Sequence, residues 1–303
     1  MPNFIGKRNI FLIISGLLVI GSILSLTIFG LKSGIDFSAG SSLTVKFDIA
    51  PALADLNAKM RDLGHPEAVI QETGSGDFII HLSVVTDAQK NSLETGLETS
   101  FGALTEEGFE SIDPTIAGDT RKIAAGAIAL AAVGILLYLT YAFRRMPKPL
   151  HYGTGAVIAL IHDVIVVLGI FAILASVFHW EIDLVFVIGI LAVLGYTVNN
   201  TVVIYDRIRE NVLRGVAPTF EATVNRSVVE TVVRSMNTSF TTIIAVLALM
   251  LFVGATVENL AIVMFIGILV GTYDSLFVAP AILVIWDNFD KRRLAPRVSR
   301  AGT

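Results

Sequence analysis

The sequence contains no cysteine, which removes disulfides and thiolate metal sites from its chemistry and leaves its redox compartment undecided. Charge is also scarce: 16% of the 303 residues are charged, whereas 54% are hydrophobic. The mean hydropathy is +0.74. Soluble domains carry more charge and fewer apolar residues than this. The shortage of charge therefore indicates a membrane protein rather than a soluble one.

Catalytic and nucleotide-binding patterns are missing as well. No phosphate-binding loop of the form GxxxxGKS or GxxxxGKT occurs, so we do not expect this chain to use ATP. No Ser/His/Asp nucleophile or metal cluster is recognisable, and we interpret none of the five scattered histidines as a ligand. We therefore expect no enzymatic activity, no cofactor and no metal.

What the sequence does contain is long apolar runs. Each is close to the roughly 20 residues that a helix needs to cross a bilayer. The first run follows Lys7 and Arg8, and it exceeds the roughly 7–15 apolar residues of a signal peptide, so an uncleaved helix is favoured. The six predicted transmembrane helices are residues 10–31, 123–143, 152–178, 184–205, 240–257 and 260–286.

The segment 32–121 has the character of a soluble domain. Alternating patterns predict strands at 42–49, 68–72, 78–83 and 108–113, with amphipathic helices at 51–63 and 87–101. The order β-α-β-β-α-β is typical of a ferredoxin-like domain. We therefore predict a membrane all-α bundle of six transmembrane helices with an α+β ferredoxin-like extracytoplasmic domain between helices one and two. Residues 122–286 would then hold helices two to six, and residues 287–303 a basic tail.

The positions of Lys and Arg predict the orientation. If the N-terminus is cytoplasmic, the inner segments carry most of the 22 Lys and Arg residues, and the short outer loops 179–183 and 255–259 carry none. Both termini are therefore predicted to be cytoplasmic, and the soluble domain to face outward from the plasma membrane.

Ionisable groups inside the predicted helices are the main functional clue, because charge is costly in hydrocarbon. Asp163, Arg234 and Asp274 each need a charge partner or a path for an ion, and we interpret them as candidates for a proton or ion relay. Asn200 of the fourth helix is the remaining relay candidate. Static ion pairing is the alternative, together with snorkelling to the cytoplasmic interface for Arg234.

Other polar residues in the helices are explained by packing as well as by function. Arg234 begins a series at i, i+3, i+4 and i+7 spacing, which places its members on one face of the fifth helix. Amide and hydroxyl side chains often join helices by hydrogen bonds, and we expect that role for Thr197 and Thr238. The predicted supporting polar face comprises Thr197, Asn199, Asn237, Thr238 and Thr241.

Several stretches of the sequence together resemble SecF, the smaller subunit type of the SecD/SecF family in the resistance-nodulation-division superfamily. GYxxN followed by DRIREN is long and specific, and the six-helix layout agrees with it. The matching stretches are residues 34–40 (GIDFSAG), 159–164 (ALIHDV), 195–211 (GYTVNNTVVIYDRIREN), 234–239 (RSMNTS) and 271–273 (GTY).

The resemblance implies a function in protein export. It implies that the chain pairs with SecD and associates with the SecYEG channel. SecA is a further associated component that it implies, and YajC or YidC are candidates for others. Translocating preprotein and membrane lipid would contact the chain, and nucleic acid would not. Proton motive force would assist translocation after SecA has started it, although H⁺ and Na⁺ both remain open as the coupling ion.

The fourth helix departs from the family pattern. Asn199 and Asn200 stand where the family usually has Asn-Asp, so the acid expected opposite Arg234 is an amide that cannot titrate. Asp274 stands where the family more often has a small polar residue. We hypothesise that Asp274 supplies the displaced carboxylate, with Arg234 as its charge partner. In the alternative, Asp274 only neutralises Arg234 and SecD carries the proton.

Two other functions are compatible with the sequence. The chain could be a resistance-nodulation-division half-transporter that exports small solutes, although such proteins usually carry much larger outer domains. It could also be a non-conducting scaffold of the translocon, an alternative that the amide at Asn200 leaves open.

Overall fold

The computed structural model describes residues 2–73, 76–178, 180–252 and 257–294. Across these ranges, six helices are long and apolar enough to cross a membrane. The prediction of six spans and their order along the chain is confirmed. Parts of the two predicted outer loops lie outside the described residues. The predicted basic tail lies outside them from residue 295 onward. The spans are Ile5–Phe29, Pro114–Ala142, Pro149–Phe178, Leu184–Arg214, Phe220–Phe252 and Asn259–Arg293.

Within the described ranges, the helices and strands follow one another without a long irregular segment. The last span is interrupted by one π-helical segment, Asp274–Val278, between two α-helices. The helices are α1 Arg8–Phe29, α2 Ile35–Ser38, α3 Leu53–Asp62, α4 Asp87–Phe101, α5 Pro114–Ala142, α6 Pro149–Phe178, α7 Leu184–Arg214, α8 Phe220–Phe252, α9 Glu258–Tyr273 and α10 Ala279–Leu294. The strands are β1 Gly40–Phe47, β2 Val69–Glu72, β3 Phe78–Leu82 and β4 Leu104–Ile112.

Several helices extend well beyond the predicted apolar runs, and three of them show why. α5 begins at Pro114, because the Asp113 carboxylate accepts a hydrogen bond from the Thr115 amide at 2.8 Å and Pro114 suits the first turn. α7 continues to Arg214, where Gly215 ends it in the left-handed conformation (φ 64°). α8 begins at Phe220, and its first five turns are too polar to register as an apolar run.

The sheet domain is four antiparallel strands in the order β2-β3-β1-β4. Its core joins Leu43 and Val45 of β1 to Leu56 of α3 and Leu97 of α4, so both helices pack on one face. β4 begins at Leu104 rather than at residue 108 as predicted. Thr44 pairs with Gly108 and Val45 with Glu106, so Glu107 is an extra residue in β4. This β-bulge breaks the alternation of β4, which explains the late predicted start.

The sheet domain is joined to the bundle by backbone hydrogen bonds. The Gly34 amide donates to the Ile182 carbonyl at 2.8 Å, and the Ile182 amide donates to the Lys32 carbonyl at 2.8 Å. The Asp36 carboxylate accepts from the Leu184 amide at 2.7 Å. The chain after α1 is therefore fixed to the connection between α6 and α7.

Three spans form the centre of the bundle. Half or more of the most apolar window is buried in α6, in α7 and in the last span, against less than a fifth in α1, α5 and α8. Polar groups held between α6, α7 and the last span are consequently shielded from both water and lipid.

Candidate functional site

Small residues bring α7 and α9 into close contact. A Cβ added to Gly271 would collide with Thr197, and one added to Gly267 would collide with Val193. Close approach of helix backbones through small residues is typical of membrane bundles. These glycines therefore set the position of Thr197 and of the segment that follows α9.

Two fully buried carboxyl groups meet one histidine at the centre of the bundle. Nδ1 of His162 lies 3.5 Å from Oδ1 of Asp163 and 3.5 Å from Oδ1 of Asp274. Asp163 and Asp274 are 0% exposed, and His162 is 8% exposed. None of their carboxylate oxygens or ring nitrogens has a hydrogen-bond partner among the described residues. We refer to His162, Asp163 and Asp274 as the His–Asp cluster.

The π-helical segment positions Asp274 in this cluster. It begins at Asp274 and ends two residues before Pro280, which has no backbone N–H to donate to the preceding turn. Single π turns inside α-helices often occur at functional sites. The position of Asp274 thus follows from two features. Gly271 allows close packing of the helices, and the turn before Pro280 is widened.

Hydroxyl groups surround one side of the cluster. Thr197 lies beside the Asp163 carboxylate. Ser275 donates to the Thr197 carbonyl at 3.2 Å, and its hydroxyl lies 2.9 Å from that of Thr201. Thr197 and Ser275 are 0% exposed. The cluster therefore has polar neighbours from α7 as well as from α6 and the π segment.

Asn200 belongs to an adjacent polar layer. Its amide donates to the Ser239 hydroxyl at 3.3 Å, and that hydroxyl lies 2.6 Å from the Thr272 hydroxyl. Tyr196 also donates to Ser239 at 2.9 Å. Asn200 is buried, whereas Asn199 is exposed on the other side of α7. The two adjacent asparagines consequently have different surroundings.

The polar face predicted on α8 points away from the interior of this chain. Arg234, Asn237 and Thr241 are exposed, and Thr238 is half-buried. The interior face of α8 instead carries eight buried side chains. These are Thr223, Val224, Ser227, Val228, Thr231, Ser235, Ser239 and Val246.

The hypothesised ion pair between Asp274 and Arg234 is not formed in the described part of the chain. Asp274 is fully buried, and the basic side chain beside it is His162, whereas Arg234 is exposed beside the buried Ser235. Adjacent positions on a helix differ in direction by about 100°. This offset turns Arg234 away from the interior.

His162, Ser239 and Ser275 are not among the site residues predicted from the sequence. The position of His162 next to Asp163 in a predicted span is a usable signal for it. Ser275 directly follows Asp274, where packing by hydrogen bonds is the expected role. Ser239 is a small residue common in helix interfaces, and the sequence offers no signal for it.

A second polar site lies outside the membrane-spanning segments, between the sheet and the α6–α7 connection. It is a cleft of about 420 Å³ whose lining includes Asp36, His81, Glu110, Glu181 and Asp183. Nδ1 of His81 lies 3.5 Å from Oε2 of Glu181. Burial lowers the pKa of His81 to about 4 and raises the pKa of Glu181 to about 7. Their ionisation states therefore depend on the contact between the sheet domain and the bundle.

The fold and the site define a multi-pass membrane protein that keeps ionisable groups between its central helices. The family model described as "Protein export membrane protein SecD/SecF, C-terminal" matches residues 92–289. A protein translocase subunit SecF from Thermobaculum terrenum is 38% identical over 98% of this chain and 98% of its own length. One from Anaerolinea thermophila is 36% identical over the whole of both chains. The chain belongs to the SecD/SecF family of protein export membrane proteins. The relatives that it matches over its whole length are SecF subunits.

Solved structures agree with this assignment. The crystal structure of SecDF, a translocon-associated membrane protein from Thermus thermophilus, superimposes with a TM-score of 0.84 at 30% identity, covering 95% of this chain. SecDF in a super-membrane-facing form gives a TM-score of 0.68 at 29% identity. The chain spans only 39% and 40% of those two structures' chains.

Proposed function

We propose that this chain acts in Sec protein export as the SecF subunit, assisting preprotein translocation across the plasma membrane. The observation that carries the proposal is similarity along the whole chain, at 36–38% identity, to proteins named as SecF translocase subunits. The chain acts as a transport component rather than as an enzyme. Translocating preprotein is its substrate, and SecYEG, SecA, and YajC or YidC are the remaining partners of the proposal.

The proposal includes an outward orientation for the sheet domain and cytoplasmic termini. The distribution of Lys and Arg supports it. The strand order β2-β3-β1-β4, with α3 and α4 on one face, supports a ferredoxin-like domain. Such a domain beside the membrane is suitably located to meet polypeptide as it emerges from a channel.

SecD is the partner that the proposal requires inside the membrane. α8 exposes Arg234, Asn237 and Thr241 within a membrane-spanning helix, and charged or amide groups facing lipid are costly. The SecDF structures support a SecD neighbour, because this chain corresponds to only about two fifths of each. We propose that SecD covers this face and supplies an acidic group to Arg234.

The proposed energy source is the proton motive force, with the buried polar groups as the ion relay. One charge crossing 100 mV gains about 2.3 kcal/mol, enough to shift a two-state domain substantially. Asp163 and Asp274 are the relay's carboxyl groups within this chain. Asn200 cannot carry charge, and Arg234 acts at the SecD interface. In this proposal, the relay keeps its ionisable carboxyl groups at Asp163 and Asp274, although position 200 is an amide.

Preprotein translocation into inverted membrane vesicles tests the proposal. Vesicles containing this chain and SecD should translocate more preprotein than vesicles without this chain, and a proton ionophore should remove the difference. Equal translocation with and without the ionophore would indicate a scaffold. Stimulated efflux of small solutes with no effect on preprotein would indicate a solute transporter.

A further inference from the structure

We infer that His162, Asp163 and Asp274 form a binding site for a divalent transition-metal cation of the zinc class. This inference goes beyond the proposed export function. Its ligands include the relay's carboxyl groups, Asp163 and Asp274, so a bound cation and a relay proton would compete for them. The test measures metal binding only, and absence of binding would leave the export function untouched.

The separations within the His–Asp cluster are those of metal ligands rather than of hydrogen-bonded groups. Nδ1 of His162 is 3.5 Å from one oxygen of each aspartate, beyond the roughly 2.7–3.2 Å of an N–H···O hydrogen bond. A tetrahedral ion with bonds of about 2.0–2.2 Å holds its ligands roughly 3.3–3.6 Å apart. One donor atom from each residue lies within 4.8 Å of the others. The three residues can therefore offer three ligands to one tetrahedral ion.

Unsatisfied polar atoms provide the second argument. Buried polar atoms are nearly always paired, yet both carboxyl groups and both imidazole nitrogens have no hydrogen-bond partner among the described residues. Asp163 and Asp274 are 0% exposed. A bound cation satisfies both carboxylates and one nitrogen together. The Thr197 hydroxyl, beside Asp163, or a water molecule fills the fourth position.

Charge and ligand type select the class of cation. Two buried carboxylates carry two negative charges, and a divalent cation balances them inside hydrocarbon. An imidazole nitrogen favours zinc-class ions, whereas Mg²⁺ and Ca²⁺ prefer sites made only of oxygen.

Cobalt and zinc binding by the purified full chain in lipid nanodiscs tests the inference. After chelation of metals and dialysis, we expect Co²⁺ to bind at one equivalent with the visible absorption of a tetrahedral complex, and Zn²⁺ to displace it. Excess Mg²⁺ should not compete. Absence of Co²⁺ binding, or equal competition by Mg²⁺, would overturn the inference.

Variants identify the ligands. We expect H162Q and D274N each to weaken Co²⁺ affinity more than about tenfold, since even outer-shell partners of a metal are worth that much. The matched control is H81Q, which removes an imidazole beside an acidic residue in the cleft and should leave Co²⁺ affinity unchanged. D274E retains the carboxylate, so it should retain binding with a shifted spectrum even if D274N folds poorly. Loss of binding in H81Q alone, or unchanged binding in H162Q, would place the metal elsewhere.

Discussion

Nδ1 of His162 lies 3.5 Å from Oδ1 of Asp274, connecting α6 to the π-helical segment of the last span. This contact makes a histidine, rather than Arg234, the nearest basic group to the buried Asp274. The two fully buried carboxyl groups of the described residues, Asp163 and Asp274, therefore both lie between α6 and the last span. Arg234 remains available to a partner on the outer face of α8.

Replacing Asp274 by Asn should remove the proton-driven part of export. The amide matches the carboxyl group in shape but cannot carry its charge, so translocation in inverted vesicles should become insensitive to a proton ionophore. D290N is the matched control, because it removes only the exposed ion pair with Lys148 at the far end of the span. Full ionophore-sensitive export by D274N would contradict the relay.

Restoring an acid at position 200 should partly rescue that defect. The Asn200 side chain contacts the Ser239 hydroxyl at 3.3 Å, and this hydroxyl can donate to a carboxylate instead of accepting from an amide. We expect N200D to fold normally alone and to return ionophore-sensitive export to D274N. The same translocation assay measures both. No recovery in the double variant, with normal folding, would show that the two positions do not share one role.

Gly271 should be intolerant of even one methyl group. A Cβ there collides with Thr197 of α7, so G271A should lower the free energy of unfolding by about 1–3 kcal/mol through overpacking. Thermal unfolding in mild detergent measures the loss. G126A is the control, because a Cβ on this α5 glycine meets no atom within 4 Å. If G271A and the unmodified chain were equally stable, α7 and α9 could move apart to accommodate a methyl group with no loss in the free energy of unfolding.

The sequence predicts the spans better than it predicts the site. Apolar runs mark six helices because crossing a bilayer fixes their length and composition. The start of α8 at Phe220 escaped that criterion, because its polar turns lie outside the apolar run. The contact between His162 and Asp274 depends on a π turn and on tight helix packing, neither of which periodicity encodes. Arg234 shows a related limit: spacing identifies its face but not whether that face meets the interior or a partner.

Arg234 should matter for partner binding and not for the stability of the isolated chain. It is exposed, and no ion pair of Arg234 occurs in the described parts of the chain. R234L should therefore unfold at the same temperature as the unmodified chain but copurify with less SecD. R145L, which changes another exposed arginine near the end of α5, should leave copurification unchanged. Undiminished SecD recovery with R234L would exclude this face as the interface.

The contact between His81 and Glu181 should give the sheet-domain junction two opposing pH dependences. Burial raises the pKa of Glu181 from 4.5 to about 7, so its contribution to stability is full below pH 4.5 and is lost as pH rises towards 7. Burial lowers the pKa of His81 from 6.5 to about 4, so its contribution is full above pH 6.5 and is lost as pH falls towards 4. Between pH 4.5 and 6.5 the two dependences partly cancel.

Single variants should separate these two contributions. E181Q leaves the histidine, so the unfolding temperature should rise with pH from about 4 to 6.5 more steeply than in the unmodified chain. H81Q leaves the glutamate, so the unfolding temperature should fall from pH 4.5 to about 7. The double variant removes both groups and should be the flattest of the four proteins in this range. Thermal unfolding across pH 4–7.5 measures these slopes, and slopes of the same sign in E181Q and H81Q would contradict the opposing burial effects.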